Sequence, residues 1–499
     1  MICEILNLRK SFTNQEKNTM KKIMFVGSEA YPFAKTGGLG DVMYALPRAL
    51  NKEGCDARII MPLYGCIKDQ YKEKMEYITH FYMQVGNNGR EWYVGIKKYD
   101  LDGVICYFID NEELFGWGNP YSEMSDDLEK FIYFDKAVLA ALPVIGFIPD
   151  VIHCNDWQAG LVPVYLRTLF ANTEVGRTSK VIMTIHNLRF QGIHTIERIQ
   201  YLSGLPDYVF TYDKLTQHGD ANMLKGGMIF SDRITTVSNS YAEEIKTAEY
   251  GENLEGVTSY HAYKLLGIVN GIDYDIYNPE TDKKLFANYN VETVKAGKAA
   301  NKKALQEELG LEVNPDKMMI GLISRLTDQK GLDLLLPIMD QLIDGNTQFV
   351  LLGTGVPEYE NGFRYFEDRH RGNVSSSIMY SDERSRKIYA AADAMLVPSR
   401  FEPCGLTQLM SMRYGAVPIV RETGGLKDTV QAYNKYEGTG TGFSFEEYYP
   451  WILLDCINQA KEIYFTQPEA WDALVKRDME QDFSWDKAAK QYIDMYNSL

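Results

Sequence analysis

The sequence predicts an α/β protein of two domains, each a parallel sheet with helices on both faces, and three observations predict it. Strand-like apolar runs alternate with helical patterns, which is the signature of βαβ units. The chain has 499 residues, whereas single cores stop growing near about 250–300. The alternation also starts afresh after a charged helical stretch at 292–309. In such sheets ligands bind outside the carboxyl ends of the strands, so loops at those ends, and the cleft between domains, are where function is sought.

In order, a strand Ile23–Gly27, a helix over 40–53 and a strand Ala57–Met61 open the first series. Trp92–Tyr99 and Val104–Ile109 flank Asp100-Leu-Asp102-Gly103, a hairpin signal whose Asp-x-Asp reads as a turn before it reads as a metal motif. Val151–Cys154, a helix over 156–170 and Lys180–Ile185 continue the series. Around Lys264–Pro279 the pattern breaks, and a linker at 268–280 is placed there. The second series runs Met318–Ser324, helix 331–343, Gln348–Gly353, Ser377–Met379, helix 383–392, Ala394–Pro398, helix 405–414 and Val417–Val420. Glu437-Gly-Thr-Gly-Thr-Gly442 is either a surface connection or a lid.

Composition narrows the function. Hydrophobic content of 45% and charged content of 24% are those of an ordinary globular chain, and no apolar run is long enough to span a bilayer. Net charge of -16 without a compensating basic tract argues against nucleic acid and anionic lipid as partners. Seven scattered cysteines without a C-x-x-C pair indicate neither a disulfide framework nor a zinc site, so a reducing, cytoplasmic compartment is expected. Residues 1–19 are polar where a secretory core should be and read as a loose tail or a misplaced start before Met20-Lys-Lys.

A small anionic ligand would need local positive charge or exposed N–H donors, and three segments supply one or the other. Lys35-Thr-Gly-Gly-Leu-Gly-Asp-Val42 links a buried strand to a helix start, where glycines admit a ligand, N–H groups point outward and Lys35 adds a full charge. A tight strand-to-helix turn is the alternative. Ser324-Arg-Leu-Thr-Asp-Gln-Lys-Gly331 puts Arg325 and Lys330 at a helix start, where the dipole disfavours cations unless an anion is bound. Phe401-Glu-Pro-Cys-Gly-Leu-Thr-Gln408 places Glu402 beside Gly405–Thr407, as an anion-site neighbour or as a capping carboxylate. His153-Cys-Asn-Asp-Trp157 and Thr184-Ile-His-Asn187 each end a strand, although a lone His there is usually structural.

Taken together, KTGGLGDV, HCNDWQAGL, TIHNL with Gln191-Gly192, Asn270-Gly-Ile-Asp273, SRLTDQKG, and PSRFEPCGLTQL with Thr423-Gly-Gly425 resemble one family over about residues 20–499. It is that of the bacterial glycogen synthases and plant starch synthases, glycosyltransferase family five. The resemblance implies two Rossmann-like domains facing across a deep cleft, the GT-B arrangement. It also implies an acceptor-side domain at 20–267, a nucleotide-sugar domain at 281–482, and a C-terminal helix, 483–499, packing back on the first domain. The implied reaction is transfer of glucose from ADP-glucose to the nonreducing 4-hydroxyl of an α-1,4-glucan such as glycogen, with retention of configuration.

The resemblance also implies roles. Lys35 and the Gly37–Gly38 amides meet the donor's phosphates and sugar. Arg325 and Lys330 neutralise the leaving diphosphate. Glu402 binds donor hydroxyls and steadies positive charge at the anomeric carbon, while Gly405, Leu406 and Thr407 hold the diphosphate. Asp156, Trp157, His186 and Tyr121 line the sugar pocket, and Asp41, Asn187, Asn270 and Cys404 complete the substrate-binding set. His186 offers its main-chain carbonyl on the attacking face. No cluster of metal-ligand spacing occurs, and the cofactor expected is none.

Two positions depart from related patterns. Met410 stands where broader relatives carry a ribose-binding Glu, which favours the synthases over their cousins. Tyr380, in Tyr380-Ser-Asp-Glu383, is one position from the adenine-stacking Tyr of some bacterial synthases. The rivals are a transferase with another donor or acceptor, a dinucleotide-binding oxidoreductase, and a noncatalytic glucan-binding scaffold. The oxidoreductase lacks G-x-G-x-x-G with its downstream acid. The scaffold is opposed by the presence of Lys35, Arg325, Lys330 and Glu402. Oligomeric state is not legible.

Overall fold

The computed structural model of the chain describes residues 20–499 except Asn88 and Glu123, so the tail expected at 1–19, with Cys3, lies outside the described residues. Two compact units emerge. The first runs through residue 183 and adds 191–232 and 493–499, and the second comprises 184–190 and 233–492.

The first unit is built on β1 (Lys22–Val26), β2 (Asp56–Pro62), β3 (Glu76–Gln84), β4 (Glu91–Leu101), β5 (Val104–Asp110), β6 (Val151–Asn155) and β7 (Lys180–Ile185), in the sheet order β7-β6-β1-β2-β5-β4-β3. β1 lies parallel between β2 and β6, and Ile23, Met24, Phe25 and Val26 are fully buried, as a central parallel strand covered on both faces requires. β4 and β5 form the expected hairpin. Asp102 and Gly103 both have positive φ, 51° and 85°, and the Gly103 amide donates to Asp100, so the Asp-x-Asp serves the turn. Edge strand β3 escaped the sequence reading because its burial is weak throughout. A small antiparallel sheet of β8 (Ile193–Thr195), β9 (Thr216–Gln217) and β10 (Asp220–Asn222) was also missed.

The second unit holds the parallel pair β11 (Arg233–Thr236) and β12 (Leu265–Gly267). Its main sheet consists of β13 (Met318–Ile323), β14 (Thr347–Leu352), β15 (Val374–Ser377), β16 (Ala394–Val397), β17 (Val417–Arg421) and β18 (Phe443–Phe445). These six are parallel in the order β15-β14-β13-β16-β17-β18, placing the loops after β13 and β16 side by side. Three sequence expectations shift. β15 ends at Ser377, where the strand was expected to begin. The helix expected at 331–343 is three short pieces around Pro337, whose ring removes a donor and clashes with the preceding turn. The helix expected at 156–170 is a 3-10 turn, Trp157–Ala159, followed by Leu161–Arg167.

The compact units depart from the expected domain limits, because residues 233–267, expected with the first domain, group with the second unit. Hydrogen bonds give the reason. Ser238 Oγ donates to the Pro403 carbonyl, the Ser240 amide donates to Asp428, and the Gly424 amide donates to Glu244 at 2.8 Å. The linker is strapped rather than loose, since the Ile272 amide donates to the Phe483 carbonyl at 2.8 Å and the Tyr274 hydroxyl to that of Gln481. The C-terminal helix spans Trp485–Asn497, and in the first unit Tyr496 bonds Lys21 and His153. The Gly/Thr loop is a fixed surface connection, its Gly438 and Gly440 carbonyls both accepting from Arg477.

One buried pair locks the second sheet. Lys302 Nζ reaches Asp393 Oδ2 at 2.7 Å, and the same oxygen accepts from the Met319 amide, tying the starts of β13 and β16. Removing one member strands a buried charge, which costs about 3–5 kcal/mol. Asp393→Ala should therefore lower unfolding free energy by about that amount in urea titration, and a loss below about 1 kcal/mol would contradict the locking role.

Candidate active site

In the first unit the site forms at the carboxyl end of β1. Ser28 and Glu29 follow the strand and are buried, and Glu29 organises the glycine loop. Its carboxylate accepts from the Thr36 hydroxyl at 2.7 Å, from the Thr36 and Gly37 amides, and from the Tyr121 hydroxyl, which also meets Ser28 at 2.8 Å. The Gly37 amide donates to Glu29 at 3.3 Å, which holds the glycine loop against this buried carboxylate. Gly38 opens the helix Gly38–Lys52, and Lys35 lies 2.7 Å from Asp41 in its first turn. The Tyr121 loop is anchored by Asp127, which accepts from the Ser122 amide and hydroxyl and pairs with Lys130 at 2.6 Å.

Asp156 leaves β6 with φ 58° and ψ -178°, a region open chiefly to glycine, so this carboxylate is held at a cost of about 1–3 kcal/mol. Trp157 is only 3% exposed and packs edge-on against Phe131 at 5.3 Å. The indole belongs to the core and forms the residue next to the Asp156 turn. His153 of the same motif is structural, stacked on Phe25 at 4.6 Å and bonded to Tyr496.

The second unit gathers the cations and Glu402. Arg325 and Lys330 follow β13, and Glu402 follows β16. Lys330 Nζ contacts Glu402 Oε2 at 2.6 Å, and Ser399 Oγ donates to the same oxygen at 2.9 Å. Gly331, at φ +70°, makes this approach possible, because a Cβ there would sit 1.9 Å from the Pro398 carbonyl oxygen. Arg325 is exposed and pairs with no acid among the described residues. Cys404 is buried, and burial pushes its thiol up to about 12, so it serves as a neutral packing residue. Gly405, at φ +70°, and Leu406 lead into the helix Thr407–Arg413, where Gln408 steadies the loop by donating to the Cys404 and Gly405 carbonyls.

Asn270 is buried with its Oδ1 unpartnered, beside the Cys404 loop. His186 and Asn187 follow β7 and are half-buried. Desolvation lowers the His186 pKa from 6.5 to about 3, leaving the ring neutral throughout the physiological range. Tyr380, beyond β15, is 80% exposed and offers a free aromatic face. Sequence reasoning missed Glu29, Asp127, Ser399 and Gln408. The polar Ser28-Glu29 pair directly after an apolar strand was the one signal that could have found Glu29.

Comparison with known proteins identifies the family. The starch synthase catalytic domain family matches residues 22–260, and the family of group 1 glycosyl transferases matches 306–471. A glycogen synthase of Lachnospira eligens is 55% identical over 96% of this chain and all of its own length, and one of Lachnoclostridium phytofermentans is 51% identical with the same coverage. The solved catalytic domain of starch synthase IV from Arabidopsis thaliana, bound to ADP and acarbose, is 33% identical over 96% of this chain and 99% of its own, with a TM-score of 0.88. A sucrose-phosphate synthase from Thermosynechococcus elongatus, 16% identical with a TM-score of 0.60 over 96% of this chain and 98% of its own, shares the fold. Fold and site together define a glycosyltransferase of the GT-B class. Within that class, the chain belongs to the family of the glycogen and starch synthases.

Two outcomes follow from the site's electrostatics. Glu29→Ala should free the glycine loop and raise the donor KM by about tenfold or more, since charge-assisted hydrogen bonds contribute about 1.5–3 kcal/mol. Unchanged kinetics would remove Glu29 from the site. The depressed pKa of His186 means that only the unfolded chain takes up this proton between about pH 6.5 and 3, so its contribution, whole above pH 6.5, is lost as pH falls. Urea midpoints at pH 7 and 5 should therefore converge in His186→Gln relative to the parent, by less than about 1.4 kcal/mol per pH unit given partial exposure.

Proposed function

We propose that the chain transfers glucose from ADP-glucose to the nonreducing 4-hydroxyl of an α-1,4-glucan, with retention. The observation that carries the reading is the placement of Arg325, Lys330 and Glu402 on two adjacent loops at strand ends. A nucleoside diphosphate sugar brings two charges that meet there: negative on the diphosphate, and positive developing on the sugar.

Arg325 and Lys330 neutralise the departing diphosphate. Glu402, drawn to 2.6 Å of Lys330, sits where one carboxylate can accept donor hydroxyls and stabilise an oxocarbenium-like centre. Transfer then proceeds on one face of the sugar: the departing phosphate oxygen takes the acceptor's proton as the new glycosidic bond forms. The His186 carbonyl lines the opposite face in place of a carboxylate nucleophile. Lys35, Gly38, Asp41, Tyr121, Asp156, Asn187 and Asn270 position sugar and phosphate groups, and Gly405, Leu406 and Thr407 receive the diphosphate. Tyr380 is the aromatic surface nearest in sequence to the expected base-stacking position.

The two cations should separate by their effects on folding. Arg325→Ala should cost about 30- to 4,000-fold in transfer while stability stays within about 0.5 kcal/mol, because the guanidinium is exposed. Lys330→Ala should lose activity comparably and also destabilise, since it leaves the buried Glu402 with Ser399 alone. Activity near normal in both would defeat the phosphate assignment. Glu402→Gln should keep donor binding within a modest factor and lower turnover sharply.

For the donor, ADP-glucose and UDP-glucose competing in one reaction should differ in kcat/KM by at least about tenfold in favour of ADP-glucose, a discrimination of only ~1.4 kcal/mol. Stacking alone separates bases poorly, so main-chain hydrogen bonds must reject uracil. A ratio at or below unity would sink the ADP assignment while leaving glucosyl transfer untouched.

A further inference from the structure

Within the second unit, a cavity of about 960 Å³ opens between the helix Val294–Leu309 and the helices Pro450–Thr466 and Pro468–Met479. Its size is that of a site for a small molecule, at about 300–1,000 Å³. It is separate from the phosphate loops. The cavity touches Asp393, which precedes β16, whereas Glu402 and Thr407 lie beyond the other end of that strand, and four residues of strand span ~13 Å.

The lining is unusual for a chain of net charge -16. Lys295, Lys298, Lys302, Lys303 and Lys476 face three acids, Glu292, Asp393 and Asp472. Lys295 pairs with Asp472 and Lys302 with Asp393, at 2.6 and 2.7 Å, and Lys476 stands 4.0 Å from Glu292. Lys303 is exposed and pairs with no acid among the described residues. Lys298 is buried, and its ammonium donates to the carbonyls of Tyr389, Ala390 and Tyr414. Burial lowers its pKa to about 7, so a nearby anion would favour its charged form. Between these cations the wall is apolar: Val294, Val475 and Trp471 are buried, and Tyr464 is half-buried.

We propose that this cavity binds an organic phosphate monoester with a planar, largely apolar body, of the nucleoside monophosphate class. Lys303 is the cation available to contact a ligand, and Lys298 behind it adds positive charge when an anion binds, so a phosphate monoester, which carries about -1.5 to -2 at neutral pH, draws on both where a carboxylate would draw on Lys303 alone. The apolar wall with Tyr464 and Trp471 suits a flat base over a polyhydroxylated sugar.

The test is calorimetric titration of the whole protein with AMP, and separately with glucose 6-phosphate and inorganic phosphate. A double variant, Ala299→Trp with Lys303→Glu, plugs the mouth and reverses the unpaired charge; both positions are exposed on one helix, and an unchanged thermal midpoint verifies folding. AMP should bind saturably at submillimolar Kd, and the variant should weaken that binding at least about tenfold. Because both changes lie away from the phosphate loops, any AMP bound at the donor site stays constant between the two proteins, and the result stands whether or not the donor assignment does. No saturable AMP binding, an isotherm unchanged by the variant, or equal binding of glucose 6-phosphate or inorganic phosphate would overturn the proposal.

Discussion

Backbone pressed against backbone at the ends of adjacent parallel strands is the constraint on which the candidate loops of the second unit rest. β13 and β16 are neighbours, so the segments leaving them run about 4.8 Å apart before either loop turns. Gly331 lets the first loop lie against the Pro398 carbonyl, and Gly424, at φ +46°, admits the Glu402 carbonyl, 2.1 Å from where a Cβ would be. No side chain fits in either gap. The Lys330–Glu402 pair is thereby held by main chain on both sides, which spares it the side-chain entropy that exposed ion pairs pay.

The first unit solves a different problem with a buried acid. Glu29 takes up N–H and O–H donors from three directions and converts a glycine-rich loop into a fixed one. Asp127 does the same for the loop bearing Tyr121. Both carboxylates sit one layer behind the residues that the resemblance assigns to substrate. The arrangement matches a general need of transfer enzymes, in which binding energy is effective only if the contacting groups are already in place. Asp156 shows the cost, since its backbone is kept in a strained conformation next to the buried Trp157.

Much of this was legible in the sequence because its signals were local. The alternation of apolar strands and helices reflects a period of two against 3.6 and needs no tertiary knowledge. The Asp-Gly hairpin and the placing of Lys35, Arg325, Lys330 and Glu402 at strand ends were likewise local. The edge strand Glu76–Gln84 was invisible because a strand at a sheet margin buries little and so carries little pattern. Pro337 hid a broken helix inside a good apolar periodicity.

By itself, the sequence determined the fold class, the family and the chemical character of the loops at the strand ends, because motifs of eight or more residues and hydrophobic period are properties of contiguous chain. Only the tertiary structure decided that Glu29 meets Thr36 and Tyr121, that Lys330 meets Glu402, that Trp157 is core, and that residues 233–267 group with 268–492. Each of these depends on a distance between residues that are not neighbours in the sequence, or on how much water a side chain keeps. Such quantities are fixed by strand order and loop packing, which local pattern does not encode.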